Sequence, residues 1–341
     1  MISIQCDVCC PPALATNDEQ VLLRSGWRMT AHGAELDACP LCVRDGSWRR
    51  LPRRSERFRD VAGGRLPDLF LIGAAKCGTT SLHAYLDTHP DIHMAALKEL
   101  RFFQDPDHRA WQGFYEAQFA SAAAVAGESS TMYTRSPALP GVAERIAAAV
   151  PDARLIYMVR DPVDRAVASY LEERFQTLDP RPVEEAFADL EDPYNPYVAG
   201  SRYAEQLGLY LQHFPAEQLL VVPLADLQGD PDATMERIFR FLGVDPGHSV
   251  DTTRRHNEGA SKYEYGGVAA RLRRGVGGRV VRRMPPRARE AAQGAARRLL
   301  SRPLDRPQLS EPLRRRLESV LAEDAARFRA MTGLPLADWS V

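Results

Sequence analysis

The residues of this chain predict an α/β fold, in which a central parallel sheet flanked by helices is preceded by a small cysteine-bearing module. Short apolar runs that end at turn residues, helical stretches that follow them one by one, and cysteine pairs confined to Cys6–Cys42 are the three observations behind it. The first run, PDLFLIG, is continuous and closes at Gly73, as a strand buried on both faces of a parallel sheet reads. SLHAYLDTHP follows as a helix, since Leu82, Tyr85 and Leu86 recur at i, i+3 and i+4 and Pro90 stops it. RLIYMVRDP and LLVVPLADL repeat the strand pattern, each leading into a helix, RAVASYLEERF and MERIFRFLGV. A last helical stretch, from LSEPLRRRLES to LADW, is expected to pack on the sheet.

The chain has 341 residues, 45% hydrophobic and 26% charged, enough for one large domain or two smaller ones. No apolar run approaches the roughly 20 residues of a membrane span, and MISIQCDVCC lacks the basic and apolar regions of a secretory signal. A cytoplasmic location without a membrane span is the expectation. A net charge of −1 argues against nucleic acid as a partner. That average conceals a basic tail, with twelve Lys or Arg against two Glu between Lys262 and Arg302. The arginines read as exposed helix faces, and an acceptor cleft or a peripheral contact with an anionic membrane is the competing reading.

The most informative segment is LIGAAKCGTTSL, Leu71 to Leu82. A strand, a tight loop with Gly73, Lys76 and Gly78, and a helix opening on Thr79, Thr80 and Ser81 make an anion site. The first amides of a helix lack intrahelical partners and carry the positive end of its dipole, and Lys76 adds a full charge. The loop is P-loop-like, yet an ATP- and magnesium-dependent kinase places its Lys after the second Gly, followed by a Ser or Thr that holds the metal. Here Lys76 precedes Gly78, and the strand LIYMV runs into Arg160, followed by Asp161 and Pro162, with Asp161 reading as a turn residue. A P-loop kinase remains the alternative enzyme.

On these residues the chain, over roughly 67–341, resembles sulfotransferases that use 3'-phosphoadenosine-5'-phosphosulfate (PAPS), specifically the heparan sulfate N- and 3-O-sulfotransferase branch and its bacterial relatives. The resemblance implies that Lys76, Cys77, Gly78, Thr79, Thr80 and Ser81 bind the 5'-phosphosulfate and that Arg160 grips the 3'-phosphate. The serine that accompanies such an Arg usually lies eight residues on, where Ala168 stands, and Ser169 is one position late. KELRFF, Lys98 to Phe103, resembles a motif whose Glu is the general base, which implies that role for Glu99 and a core role for Phe102 and Phe103. GESSTMY resembles an acceptor-side motif without its proline, implying substrate contact by Glu128 or Tyr133. Tyr203, Leu207 and Leu211 of SRYAEQLGLYL read as core, with Tyr203 at core or cleft edge. Lys262 falls in a segment implied to close over the nucleotide. His89 and His93 read as structural, while His256 is open.

Cys6-x-x-Cys9 and Cys39-x-x-Cys42 form two paired-thiolate knuckles, the pairing a four-sulfur zinc site requires, with Cys10 spare. Trp27 between them fits a zinc-ribbon-like module, and unligated thiols are the alternative. Residues 1–50 are assigned to that module, 51–66 to a linker and 67–341 to the sulfotransferase domain. The expected function is sulfuryl transfer from PAPS to a hydroxyl or amine of a small-molecule, carbohydrate or lipid acceptor. A catalytically inactive zinc-ribbon adaptor is the non-enzymatic alternative.

Overall fold

The computed structural model describes residues 64–175, 179, 181–252 and 307–341, with short strand pairs joining 2–3 to 15–16 and 263–265 to 301–303. Its centre is a five-stranded, wholly parallel sheet built from β1 (Leu69–Gly73), β2 (Ile92–Met94), β3 (Val125–Ser129), β4 (Arg154–Val159) and β5 (Leu219–Pro223). The strand order is β2-β3-β1-β4-β5, with β1 in the middle, Leu69 level with Gly127 on one side and Arg154 on the other. All five residues of β1 are buried, as its unbroken apolar run requires. Leu155 to Val159 of β4 are equally inaccessible.

Six helices matter here: α1 (Thr79–Leu86), α2 (Val142–Ala149), α3 (Pro162–Phe175), α4 (Tyr203–Leu211), α5 (Pro231–Leu242) and α6 (Glu311–Thr332). The sequence punctuates α5 at both ends. Asp230 accepts a hydrogen bond from the Ala233 amide, Pro231 opens the first turn, and Gly243 takes the left-handed conformation that ends it. Met235, Ile238, Phe239 and Leu242, spaced at i, i+3, i+4 and i+7, form its buried stripe. A second cluster fills the space between α3 and α6, where Val163, Ala166 and Tyr170 meet Leu313, Leu317 and Leu321. Phe328 of α6 packs on Tyr157 of β4 and on Tyr203, so the closing helix lies where the sequence put it.

The parallel α/β architecture matches expectation, with two strands and one helix face read differently. β2 and β3 were not foreseen as strands: β2 has only three residues, and β3 reads VAGES, with a Gly and a Glu in a fully buried run. Leu211, expected in the core, is exposed, because α4 turns Tyr203, Ala204, Gln206, Leu207 and Tyr210 inward and the next position points about 100° away. Cys6, Cys9, Cys10, Cys39, Cys42, His256, Lys262 and the arginines of 266–300 lie outside the described residues. Among the described residues no helix is long and apolar enough to cross a membrane.

Candidate active site

The loop after β1 is shaped by its neighbours. A side chain on Gly78 would meet Leu224 Cδ1 at 2.7 Å, and the backbone there is left-handed, at φ 87°. Lys76 is itself left-handed at φ 72°, a conformation that costs a non-glycine residue on the order of 1 kcal/mol. Its ammonium donates to Glu172 Oε2 of α3 at 2.6 Å, with both side chains about one-fifth exposed. Cys77 turns the other way: its side chain is fully buried against the Tyr203 hydroxyl, and its amide closes a turn onto the Ala74 carbonyl. Burial pushes the Cys77 thiol pKa up, so this group packs and is not nucleophilic. Thr79 is buried at the helix start, while Thr80 and Ser81 are partly exposed there.

Glu99 lies on the segment that leaves β2, one side chain away from this loop. The Lys98 ammonium donates to Glu99 Oε1 at 3.0 Å and to Thr79 Oγ1 at 3.5 Å, tying the carboxylate to the first residue of α1. Thr131 grips the same carboxylate twice, through its amide to Oε2 at 3.1 Å and its hydroxyl to Oε1 at 2.8 Å. Arg101 Nε stands 3.9 Å from Oε2. Both Glu99 (φ 63°) and Arg101 (φ 59°) are left-handed. Phe102 and Phe103 are core residues, as expected. His83 of α1 shares a hydrogen bond with Ser129 Oγ, and burial, then the nearby Lys98 charge, lowers its pKa, favouring the neutral imidazole.

Arg160 ends β4, its guanidinium paired with Asp164 one helical turn on at 2.9 Å and its amide facing the Tyr203 hydroxyl. Asp161 caps α3 by accepting the Asp164 amide, and its second oxygen accepts the Ser340 amide. The turn role read for Asp161 is therefore what its carboxylate does. Ser169 is buried on α3. His89 bridges the Asp91 amide and the Asp245 carbonyl, and His93 bonds the Gln118 carbonyl, both structural as read.

One implied role is overturned. Glu128 and Tyr133 are 1% and 3% exposed and lie beneath the Glu99 segment, not along an acceptor cleft. Lys98, Thr131, Arg101 and Glu172 belong to the site and were missed; Lys98 and Arg101 stand in KELRFF and Thr131 in GESSTMY, while Glu172 has no local signal.

With loop, carboxylate and arginine gathered at the carboxyl ends of β1, β2 and β4, the molecule has the layout of a nucleotide-using transferase. The sulfotransferase domain family matches residues 66–261, and the chain belongs to that family. It is 29% identical over 214 residues to the *Bos taurus* bifunctional heparan sulfate N-deacetylase/N-sulfotransferase 2, covering 57% of this chain and 24% of that protein. It is 31% identical over 200 residues to the *Mus musculus* heparan sulfate glucosamine 3-O-sulfotransferase 3B1, covering 56% of this chain and 49% of that one. The chain thus spans from about a quarter to about half the length of these relatives. A sulfotransferase from *Alicyclobacillus acidocaldarius* superposes with a TM-score of 0.57 at 25% identity, over 81% of this chain and all of the other.

Proposed function

We propose that the chain transfers a sulfuryl group from PAPS to a hydroxyl or amine of a carbohydrate or small-molecule acceptor, with Glu99 as general base. The observation that carries this reading is Lys98, which touches both Glu99 and Thr79 and so holds a candidate base at the rim of the anion-binding loop. The residues fit the nucleotide: helix-start amides and Lys76 suit a phosphosulfate, and Arg160 at the next strand's end suits a second phosphate. Glu99 would take the acceptor proton as the acceptor oxygen or nitrogen bonds to sulfur and the bridging sulfur–oxygen bond breaks. Lys76 would neutralise the oxygen that departs with the nucleotide, once released from Glu172. Heparan sulfate, named in the relatives, makes a hydroxyl- and amine-bearing glycan the first acceptor to try.

Thermal unfolding with 3',5'-ADP compared with ATP plus magnesium tests the site, since a ligand bound only by the folded state raises the midpoint. A rise with 3',5'-ADP alone is the expected result, and a rise with ATP and magnesium alone would favour a kinase. Glu99→Gln should keep the 3',5'-ADP shift while transfer falls roughly 10²- to 10⁴-fold. For the cysteine head, the proposal is a structural zinc held by Cys6, Cys9, Cys39 and Cys42, supported by their spacing. One equivalent of zinc lost from a Cys39→Ser/Cys42→Ser variant, measured by elemental analysis, is the outcome that reading requires.

A further inference from the structure

Beneath Glu99 lies a carboxylate that the transfer chemistry does not use. Glu128 sits in strand β3, between β2 and the central β1, level with Phe70 of β1 and only 1% exposed. Three hydroxyls donate to it: Tyr115 to Oε1 at 2.6 Å, Tyr133 to Oε1 at 2.7 Å and Ser130 to Oε2 at 2.8 Å. Apolar residues of the same volume commonly match or exceed the stability of a buried ionisable group. Stability alone therefore gives no reason for a carboxylate here.

The hydroxyls show what it does. Because Tyr133 and Ser130 spend their protons on Glu128, their lone pairs face the other way and accept backbone amides, Phe103 at 3.1 Å and Arg101 at 3.0 Å respectively. The Glu99 amide is held by the Ser129 carbonyl at 2.8 Å. Alternate amides of the segment, at 99, 101 and 103, are thus fastened to β3 and its continuation, two of them through hydroxyls whose direction Glu128 sets. The fastened stretch includes the left-handed Glu99 and Arg101, which relax unless their surroundings hold them.

We infer that Glu128 is a positioning residue for Glu99, acting through Ser130 and Tyr133 to hold the Lys98–Phe103 segment in the conformation that aims the Glu99 carboxylate at the acceptor. This rests on the reading of Glu99 as base. An amide at 128 has one acceptor oxygen, so it cannot receive all three hydroxyls, and the direction of at least one is released. The nucleotide loop is untouched.

The test is steady-state release of 3',5'-ADP from PAPS, with water or an N-desulfated heparan chain as acceptor, for full-length Glu128→Gln, Ser130→Ala, Glu99→Gln and Glu99→Gln/Glu128→Gln. Glu128→Gln should lower kcat between about ten- and a hundredfold while KM for PAPS and the 3',5'-ADP unfolding shift stay as in wild type. In the Glu99→Gln background, Glu128→Gln should cost nothing further, a coupling that a general structural role would not produce. Should Glu128→Gln not fold, Ser130→Ala severs one relay and is expected to lower kcat severalfold at constant KM. A folded Glu128→Gln with wild-type kcat beside an inactive Glu99→Gln overturns the inference alone. Wild-type turnover in Glu99→Gln instead overturns the reading on which it rests.

Discussion

Lys76 and Glu172 meet at 2.6 Å across 96 residues of chain, so the ammonium that the proposed chemistry needs is engaged before any nucleotide arrives. Partly exposed pairs are worth up to about 1 kcal/mol. Glu172→Gln, which removes this competitor, should therefore tighten 3',5'-ADP binding by roughly two- to fivefold in calorimetry. Unchanged affinity would mean that the pair breaks without cost or is absent in solution. The contrast between these two residues explains what was legible at this scale. Lys76 stands in a loop whose anion-binding chemistry reads from the residues themselves, and Glu99 and Arg160 stand in short local motifs whose roles the family resemblance implies. Glu172 reaches the site only because α3 brings it there, a contact that leaves no mark in the local sequence, whereas Thr131 stands in the GESSTMY pattern but meets Glu99 only because β3 runs beside β2. Glu128 and Tyr133 were found by pattern and given the wrong surroundings, since a polar motif does not reveal that its strand is flanked on both sides and fully buried.

At the scale of elements, α6 holds α4 by a buried carboxylate as well as by the Phe328–Tyr203 packing. Asp324 accepts the Ala204 amide at 2.9 Å and the Glu205 amide at 3.0 Å, satisfying the first turn of a helix 120 residues away. Arg329 stacks over Trp339, which packs flat on Phe328, so the last residues close over the same junction. Asp324→Ala should lower unfolding free energy by about 1–2 kcal/mol in urea titration, with 3',5'-ADP binding retained. A loss of nucleotide binding would show that α4, which carries Tyr203 to the Arg160 turn, transmits the damage. Apolar runs and helical spacing reveal α1, α3 and α5 and the strands β1, β4 and β5, whereas α6 reads from the family resemblance. β2 is too short to show alternation, and β3 carries Gly127 where Met94 and Leu69 press against the backbone.

Across the whole molecule, the order β2-β3-β1-β4-β5 brings the ends of four strands to one rim, so that residues far apart in the chain, Lys76, Glu99, Thr131 and Arg160, share a face. The same core sets a pH dependence. Burial, only partly offset by its hydroxyl donors, raises the Glu128 pKa from 4.5 to about 7. The folded state therefore holds this proton more tightly than the unfolded chain does. The resulting stabilisation is complete below about pH 4.5 and is lost as pH rises through about 7, by roughly 3 kcal/mol. Wild type should lose stability relative to Glu128→Gln over that interval in parallel urea titrations, and a constant difference would refute it. The left-handed residues extend this opposition between stability and use. Lys76, Glu99 and Arg101 are three of the four non-glycine residues with positive φ among the described residues. At such positions the usual ranking of glycine and alanine inverts, and Lys76→Gly should be more stable than Lys76→Ala by about 0.5–1 kcal/mol. Selection for thermostability alone would thus drift toward glycine at these sites and yield a sturdier protein stripped of the side chains on which the proposed transfer depends, so heat resistance is a misleading screen for improved variants.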